Sequence, residues 1–522
     1  MNHSTFSSVF LRASALLLAL VMMLCLVACG GGGDDPADTT AAANDAEEST
    51  EEGAISSNLP AALKFNNQEV NIYIASDDKY KCEMGSEEEP TGIINQAIVE
   101  RNYNAEDRLG IVLTFVDQGV VAGYTQPEQI RNSILTGGGA DGMDMVTGHA
   151  YYVSSLAAEG LLFNLRSENE NNYVDVTAPW YNQTFVEQCS YKDLQFWSVG
   201  DVNVTAYDRA PVTFFNEDAL LKWSITEDLY QTALDGKWTI EKMRTLVKDV
   251  FEELDNTEGE TKGDFYGLVI NGGGMCVDAL LVAAGVTITQ RNADGEHALS
   301  WTTDAAQDGF AKLFDLLYNT SGVYLGLTFK EGDTYTGTVA EHYSEDVFYE
   351  QRSVFSFGIL GAAQLFATDT SIHYGILPLP KYSENQKYQT APHDAYTIIG
   401  IPMNIGERLA IASATLECLN EQSYYTVRPV YFETAYKLRY ASGENTARLF
   451  DTVIESISFC FGGLYSNALG DPAHLLRNRL TGQNNITPTN SLAVLKRTYN
   501  TAMQMQLDTL IGKFEKIAEA SN

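Results

Sequence analysis

The chain has 522 residues, of which 69 are acidic and 33 are Lys or Arg, for a formal net charge of −36. So acidic a chain lacks the basic stripe that nucleic acid requires, is repelled by anionic lipid surfaces, and disfavours strongly anionic ligands. Hydrophobic residues make up 45% of it and aromatics 11%, enough for a large core and for two or three domain-sized units.

At the start, Arg12 is followed by sixteen uncharged residues, Ala13 to Ala28, the layout of a secretory signal. As a helix the run would be roughly 24 Å long, short of the ~30 Å hydrocarbon layer, so a permanent span is the weaker reading. Leu26-Val27-Ala28-Cys29 resembles the lipobox of bacterial lipoproteins. That resemblance implies cleavage after residue 28 and a diacylglycerol on the Cys29 thiol, whose two acyl chains suffice for stable anchoring. Cys25 lacks the leucine three residues before it and the glycine after it. From Gly30 to about Leu59 the chain carries eight acidic residues, no basic ones and no aromatic, and reads as a flexible, self-repelling tether. The expected organisation is a signal peptide at 1–28, an anchored linker at 29–60 and a globular part at 61–522. Without leader and tether, 32 basic and 61 acidic residues remain, a net charge of −29.

In the globular part, "EVNIYIAS" alternates Val70, Ile72 and Ile74 with Asn71 and Tyr73 and predicts a strand. A helical stretch follows, then "GIVLTFV" as a second strand and Met143 to Thr147 as a buried third. Tyr151 to Glu159 reads as a helix with Gly160 as its left-handed stop. This β-α-β-β-α order implies a largely parallel sheet with helices on its faces. "KWTIEKMRTLVKDVFEEL" spaces Ile240, Met243, Leu246, Val247, Val250, Phe251 and Leu254 as one long amphipathic helix, capped by Thr239 with Glu241 in its first turn. Leu495, Tyr499, Met503, Leu507, Leu510 and Phe514 predict a second long helix at the C-terminus. Neither an internal repeat nor a second linker is present, so the units are joined by structured crossings.

Most catalytic and metal signatures fail. Gly137, Gly139 and Gly142 match G-x-G-x-x-G, but they precede the strand instead of following it, so the loop cannot place phosphates at a helix N-terminus. There is no Walker loop, no H-E-x-x-H, no EF-hand pattern in "DNTEGETKGD" and no G-x-S-x-G elbow. Cys82, Cys189, Cys276, Cys418 and Cys460 are odd in number and contain no CxxC, so neither a disulfide framework nor a zinc site is legible; free buried thiols are the simpler reading. A paired-carboxylate glycosidase is not decided by sequence, because separation in space is invisible there.

The lipobox, the acidic tether, "GADGMDMVTGHAYYVSSLAAEGLLFNL", "APWYN", "FWSVGDVNVT", "FFNEDAL", "LDGKWTIEKM", "YGILPLPKY" and "SYYTVRPVYFETAYKLRY" together resemble the extracellular solute-binding proteins of ABC importers. The branch is the carbohydrate-type family 1 found as lipoproteins in Gram-positive bacteria, and the resemblance runs from about Val70 to the C-terminus. It implies an α/β, two-lobed periplasmic-binding-protein type II fold with a ligand cleft between lobes joined by hinge strands. Lobe 1 is expected at about 66–204 and 350–394, lobe 2 at about 205–349 and 395–522. The implied protein is a non-enzymatic monomer, lipid-anchored on the outer face of the cell membrane. It captures a polar solute, a sugar or oligosaccharide, for ABC permease subunits, with no cofactor, metal or nucleic acid. A surface-anchored glycoside hydrolase and a ligand-free adhesin are the alternatives.

Carried over residue by residue, the resemblance nominates Asp77 after the first strand, His149 and Tyr151 after the third, and Asp201 and Asn203 in "GDVN" at the first crossing. It adds Asn271 at the end of "YGLVIN" and Tyr465 in "FCFGGLYS". Flat aromatics suit the C–H faces of a pyranose, and Asp and Asn suit its ring of hydroxyls. Where the family often has two tryptophans after the proline, this chain has Trp180 and Tyr181, so stacking by that pair is in doubt. Packing competes with ligand contact for Trp180, Trp197, Trp223 and His149, a turn role competes for Asp201, and Trp238 beside a helix cap reads as structural.

Overall fold

The computed structural model describes residues 55–521 apart from 76–77, 86–91, 118, 120–124, 137–141, 272–275, 327–346, 367–370 and 437–443. The leader, Cys29, most of the tether, Asp77, Gly137 and Gly139 lie outside the described residues. In chain order the strands are β1 (Gln68–Ile74), β2 (Ile111–Asp117), β3 (Met145–His149), β4 (Pro211–Asn216), β5 (Phe251–Glu252), β6 (Phe265–Asn271), β7 (Thr289–Arg291), β8 (His297–Leu299), β9 (Val323–Gly326), β10 (Ser353–Ile359), β11 (Tyr374–Leu377) and β12 (Thr397–Gly400).

They form two main sheets. In the first the order is β12-β3-β1-β2, with β1 parallel to both β2 and β3 and β12 antiparallel to β3, Thr397 opposite His149. The second runs β11-β4-β10-β6-β5, with β9 also on β6. Its centre is mixed: β10 is antiparallel to β4 and parallel to β6. The β7–β8 hairpin stands apart. Strands β3, β4 and β10 are buried along their whole length, so no apolar–polar alternation marks one face of them as exposed.

Two expectations about the lobes are corrected. Segment 350–394 was assigned to the first lobe, yet β10 and β11 hydrogen-bond into the second sheet. Segment 395–522 was assigned wholly to the second, yet β12 pairs with β3 in the first. An all-buried strand carries no mark of which sheet it joins; only the partner across the ladder decides. The chain therefore leaves the first sheet after β3, returns before β12 and crosses again further on. The crossings are tied together. The Asn203 amide donates to the Thr397 carbonyl at 3.2 Å and hydroxyl at 2.8 Å. Buried Glu83 accepts from the Thr205 N–H at 2.7 Å and from the hydroxyls of Thr205 and Thr397.

Helix α1 (Gly92–Leu109) lays Ile98, Arg101, Asn102, Ala105 and Leu109 inward at three- and four-residue steps. A helix that the sequence reading missed, α2 (Gln126–Leu135), separates β2 from β3, with Pro127 in its first turn, so the order is β-α-β-α-β. The stretch Tyr151–Glu159 forms two short helices, Ala150–Val153 and Ser155–Ala158, before Gly160 at φ +72°. After β3 and before β4 comes α3 (Gln183–Gln188), capped by Asn182.

The amphipathic run begins as expected: α4 (Ile240–Val247) is capped by Thr239, whose hydroxyl accepts from the Lys242 N–H at 3.2 Å. It stops seven residues short of Leu254. Asp249 takes φ +63°, and Phe251–Glu252 pairs with β6, so sheet pairing overrides helical spacing. Later helices include α5 (Cys276–Ala283), α6 (Asp304–Tyr318), α7 (Leu409–Gln422), α8 (Pro472–Thr481) and α9 (Ala493–Ser521). Helix α7 packs on α1 and β1 of the first sheet.

Helix α9 matches the expected C-terminal element. Leu495, Met503, Leu507, Leu510 and Phe514 are buried while Tyr499 is exposed. Just ahead of it, the Leu492 N–H donates to the Gln307 side chain of α6 at 2.8 Å. Near its end Phe514 stacks on Tyr191 and Phe196 at 5.9 and 5.7 Å. The tether joins the body earlier than position 60: Ser57 donates through N–H and hydroxyl to Glu421, both at 2.7 Å, and Leu59 is buried. Among the described residues no disulfide joins Cys82, Cys189, Cys276, Cys418 or Cys460, and Cys189 and Cys418 are buried.

Candidate functional site

A cavity of about 560 Å³ is lined by segments that connect strands of both sheets. Ala150 and Tyr151 enter it directly past the carboxyl end of β3, and Thr184 and Glu187 come from α3. On the other side α5 supplies Asp278, Leu281 and Val282, and the segment 285–290, which leads into β7, closes the wall. Gln389, Asp394 and Tyr396 come from the crossing that leads into β12; Ser458, Phe459 and Cys460 come from the C-terminal region. Positions beyond the carboxyl ends of strands are where open α/β sheets bind ligands, since connecting loops there vary without disturbing the core.

Charge in the wall comes from carboxylates. Asp278 in the first turn of α5 is pushed up to about 6 by burial, against the pull of Arg477 on α8. The Arg477 guanidinium donates to its Oδ2 at 3.0 Å. Burial would raise the Asp394 carboxyl too, but the hydrogen bond from His393, with the charges of His393, His149 and His474, outweighs it and holds Asp394 at about 2. Tyr151 is pushed up to about 12, by burial first and then by Asp471 and Asp394. Its ring meets Tyr152 edge-on at 5.0 Å and His474 at 6.0 Å. Among the described residues no cluster of three or more His, Cys, Asp or Glu is arranged to hold a metal ion.

The nominated residues part company here. Tyr151 lines the cavity. His149 ends β3, is buried, packs edge-on to Tyr152 at 4.8 Å and does not line the wall. Asp201 and Asn203 lie outside the cavity wall, in buried hydrogen-bond networks. The Asp201 carboxyl, pushed up to about 6 by burial, takes the Tyr207 hydroxyl and faces Arg428 at 3.5 Å. Asn203 accepts from the Gly200 N–H at 2.9 Å and spends its amide on Thr397. Tyr465 is buried between Phe461 at 4.6 Å and Phe514 at 5.6 Å, while its neighbours Gly463 and Leu464 reach the cavity. Asn271 stands at the carboxyl end of β6, opposite Gly326.

The tryptophans resolve toward packing. Trp180 donates to Glu417 at 3.1 Å, Trp197 to the Ser154 carbonyl at 3.2 Å and Trp238 to the Pro378 carbonyl at 3.0 Å, all three buried. Trp223 stacks on Phe265 at 5.8 Å. The sequence reading missed Asp278, Asp394, Tyr396 and Phe459. "PHDAY" ahead of "TIIG" was the available signal for Asp394, once that short apolar run is recognised as a strand.

Two solved structures share this architecture. The chain covers 100% of UspC from M. tuberculosis with 84% of its own length, at a TM-score of 0.53 and 13% identity. It covers 98% of a cyclo/maltodextrin-binding protein complexed with maltotetraose with 87% of its length, at a TM-score of 0.50 and 10% identity. The protein has the two-lobed α/β fold of solute-binding proteins. At these identities the likeness is one of fold, and the residues of the cavity are this chain's own. No protein-family model and no curated protein matches the sequence.

Proposed function

We propose that the protein captures a polar solute, a sugar or oligosaccharide, outside the cell and delivers it to the permease of an ABC importer. The observation that carries this reading is the cavity itself, walled by flat aromatics, amides, hydroxyls and carboxylates. Tyr151, Tyr396 and Phe459 offer faces for the C–H surface of a pyranose; Gln389, Thr184 and Asp278 offer partners for its hydroxyls. Its size falls within the ~300–1,000 Å³ of small-molecule sites. A wall drawn from both halves suits trapping by hinge closure. The solved structure with maltotetraose bound lends the same direction.

Anchoring belongs to this proposal: the signal-like leader, Cys29 and the acidic tether together fit a lipoprotein held at the outer face of the membrane by two acyl chains. Cys29→Ser is then expected to release the protein into the medium.

A thermal-shift screen against mono- and oligosaccharides, followed by calorimetry, tests capture. A ligand that binds only the native state raises the melting temperature with the logarithm of its concentration over Kd, and the sugar is recovered unchanged. One observation favours a second reading: Asp278 and Asp394 share the cavity with their carboxyls pushed in opposite directions, the pattern of an acid and its partner in glycoside hydrolysis. Release of new reducing ends would establish that reading in place of the first.

A further inference from the structure

Tyr151 is held from the opposite half of the molecule. Its helix, Ala150–Val153, continues directly from β3 of the first sheet. Asp471 and His474 stand at the start of α8, which packs on α5 and α6, and α5 packs in turn on β10 of the second sheet. The Tyr151 ring meets His474 edge-on at 6.0 Å, and its hydroxyl donates to the Asp471 carboxylate. Neither Asp471 nor His474 lines the cavity, so they reach a bound solute only through Tyr151.

Helix capping does not account for Asp471. It occupies the N-cap of α8, where an aspartate ordinarily accepts from a first-turn N–H, yet its side chain makes no capping bond. The carboxylate is spent instead on His474 Nδ1, on the Ser466 hydroxyl at 3.3 Å and on Tyr151. Its backbone takes φ +64°, ψ +50°, directly after Gly470 at φ +78°, a left-handed conformation uncommon outside glycine. Backbone strain of that kind collects where a side chain must be aimed.

On these grounds, and resting on the sugar reading above, we propose that Asp471, braced by His474, is a positioning residue: it fixes the Tyr151 ring in the cavity wall when the two halves meet, and so couples the aromatic contact to closure. Tyr151 is half-buried, and a ring already immobilised loses less freedom when a sugar packs on it. The gain appears as slower release of the sugar.

Calorimetry and stopped-flow kinetics with maltotetraose test this on the unaltered protein, Tyr151→Phe, Asp471→Asn and the double variant. Tyr151→Phe keeps the ring and Asp471→Asn keeps the shape. Each is expected to weaken binding about fivefold, the worth of one hydrogen bond, through faster dissociation at an unchanged association rate. The double variant should be no weaker than either alone, because both changes remove the same link. Undiminished affinity in Asp471→Asn, or losses that multiply in the double variant, would overturn the proposal while the sugar reading stands. A second readout needs no sugar: 3-fluorotyrosine at position 151 gives a fluorine resonance that Asp471→Asn should shift as the hydroxyl loses its partner. An unmoved resonance refutes the link even where maltotetraose fails to bind. Failure of maltotetraose and of other sugars, with the resonance shifted, removes the sugar reading and leaves the link between the halves in place.

Discussion

Arg428 faces Asp201 across 3.5 Å, on a carboxyl that is almost wholly buried and also takes the Tyr207 hydroxyl. The pair seals the place where the chain leaves the first sheet for the second, so its disruption is read in stability before binding. Removing one partner of a buried pair strands the other charge, at about 3 kcal/mol. Asp201→Ala is expected to lower unfolding free energy by that order in denaturant titrations. Loss of sugar binding at an unchanged melting temperature would return Asp201 to the site.

Tyr151→Ala should behave oppositely. Its ring stands in the cavity wall and is only half-buried. The melting temperature of the empty protein should move little, while affinity for the best sugar falls about tenfold, as for an aromatic anchor at a binding site. Calorimetry and a thermal scan on the same preparation separate the two effects.

Glu417 gives stability a pH dependence. Burial pushes its carboxyl up to about 8, against the bonds from the Asp175 N–H, Tyr181 and Trp180. A carboxyl raised on folding binds its proton more tightly in the native state, so its contribution is full below the ordinary value of 4.5 and is lost as pH passes about 8. Stability should therefore decline across that window, by on the order of a few kcal/mol from this group. Glu417→Gln should flatten the slope between those limits; an unaltered slope would mean that Glu417 is ionised throughout.

At Gly200 a side chain has no room. An added Cβ would lie 2.0 Å from Oδ1 of Asn420 and 2.7 Å from the Trp180 carbonyl. Asn420 cannot yield, since its amide holds the Leu416 carbonyl at 2.9 Å. Gly200→Ala is expected to cost upwards of about 3 kcal/mol and to show as a large fall in melting temperature or as loss of soluble protein.

Much of the first sheet was legible because its signals are local. Val70, Ile72 and Ile74 alternate with the two-residue period of a strand, and Thr239 and Glu241 mark a helix start wherever the helix lies. The α9 stripe is readable over 29 residues because one apolar face persists through eight turns. The surroundings of Asp201 and Asn203 were not legible, for an equally physical reason. Polar residues past a strand resemble a binding mouth, yet their partners Arg428 and Thr397 come from far along the chain, and those partners turn them into buried joints.

The sequence by itself determined the charge balance, the signal-like leader with its cysteine, the class of fold and the strands and helices whose period repeats over two turns or more. Each depends only on neighbours in the chain. Tertiary structure alone decided that β10 and β11 join the second sheet and β12 the first, that α4 stops where β5 pairs with β6, and that Asp278 and Asp394 meet in one cavity. Those outcomes are fixed by hydrogen-bond ladders and contacts between distant segments, and no local pattern encodes which distant segment will supply the partner.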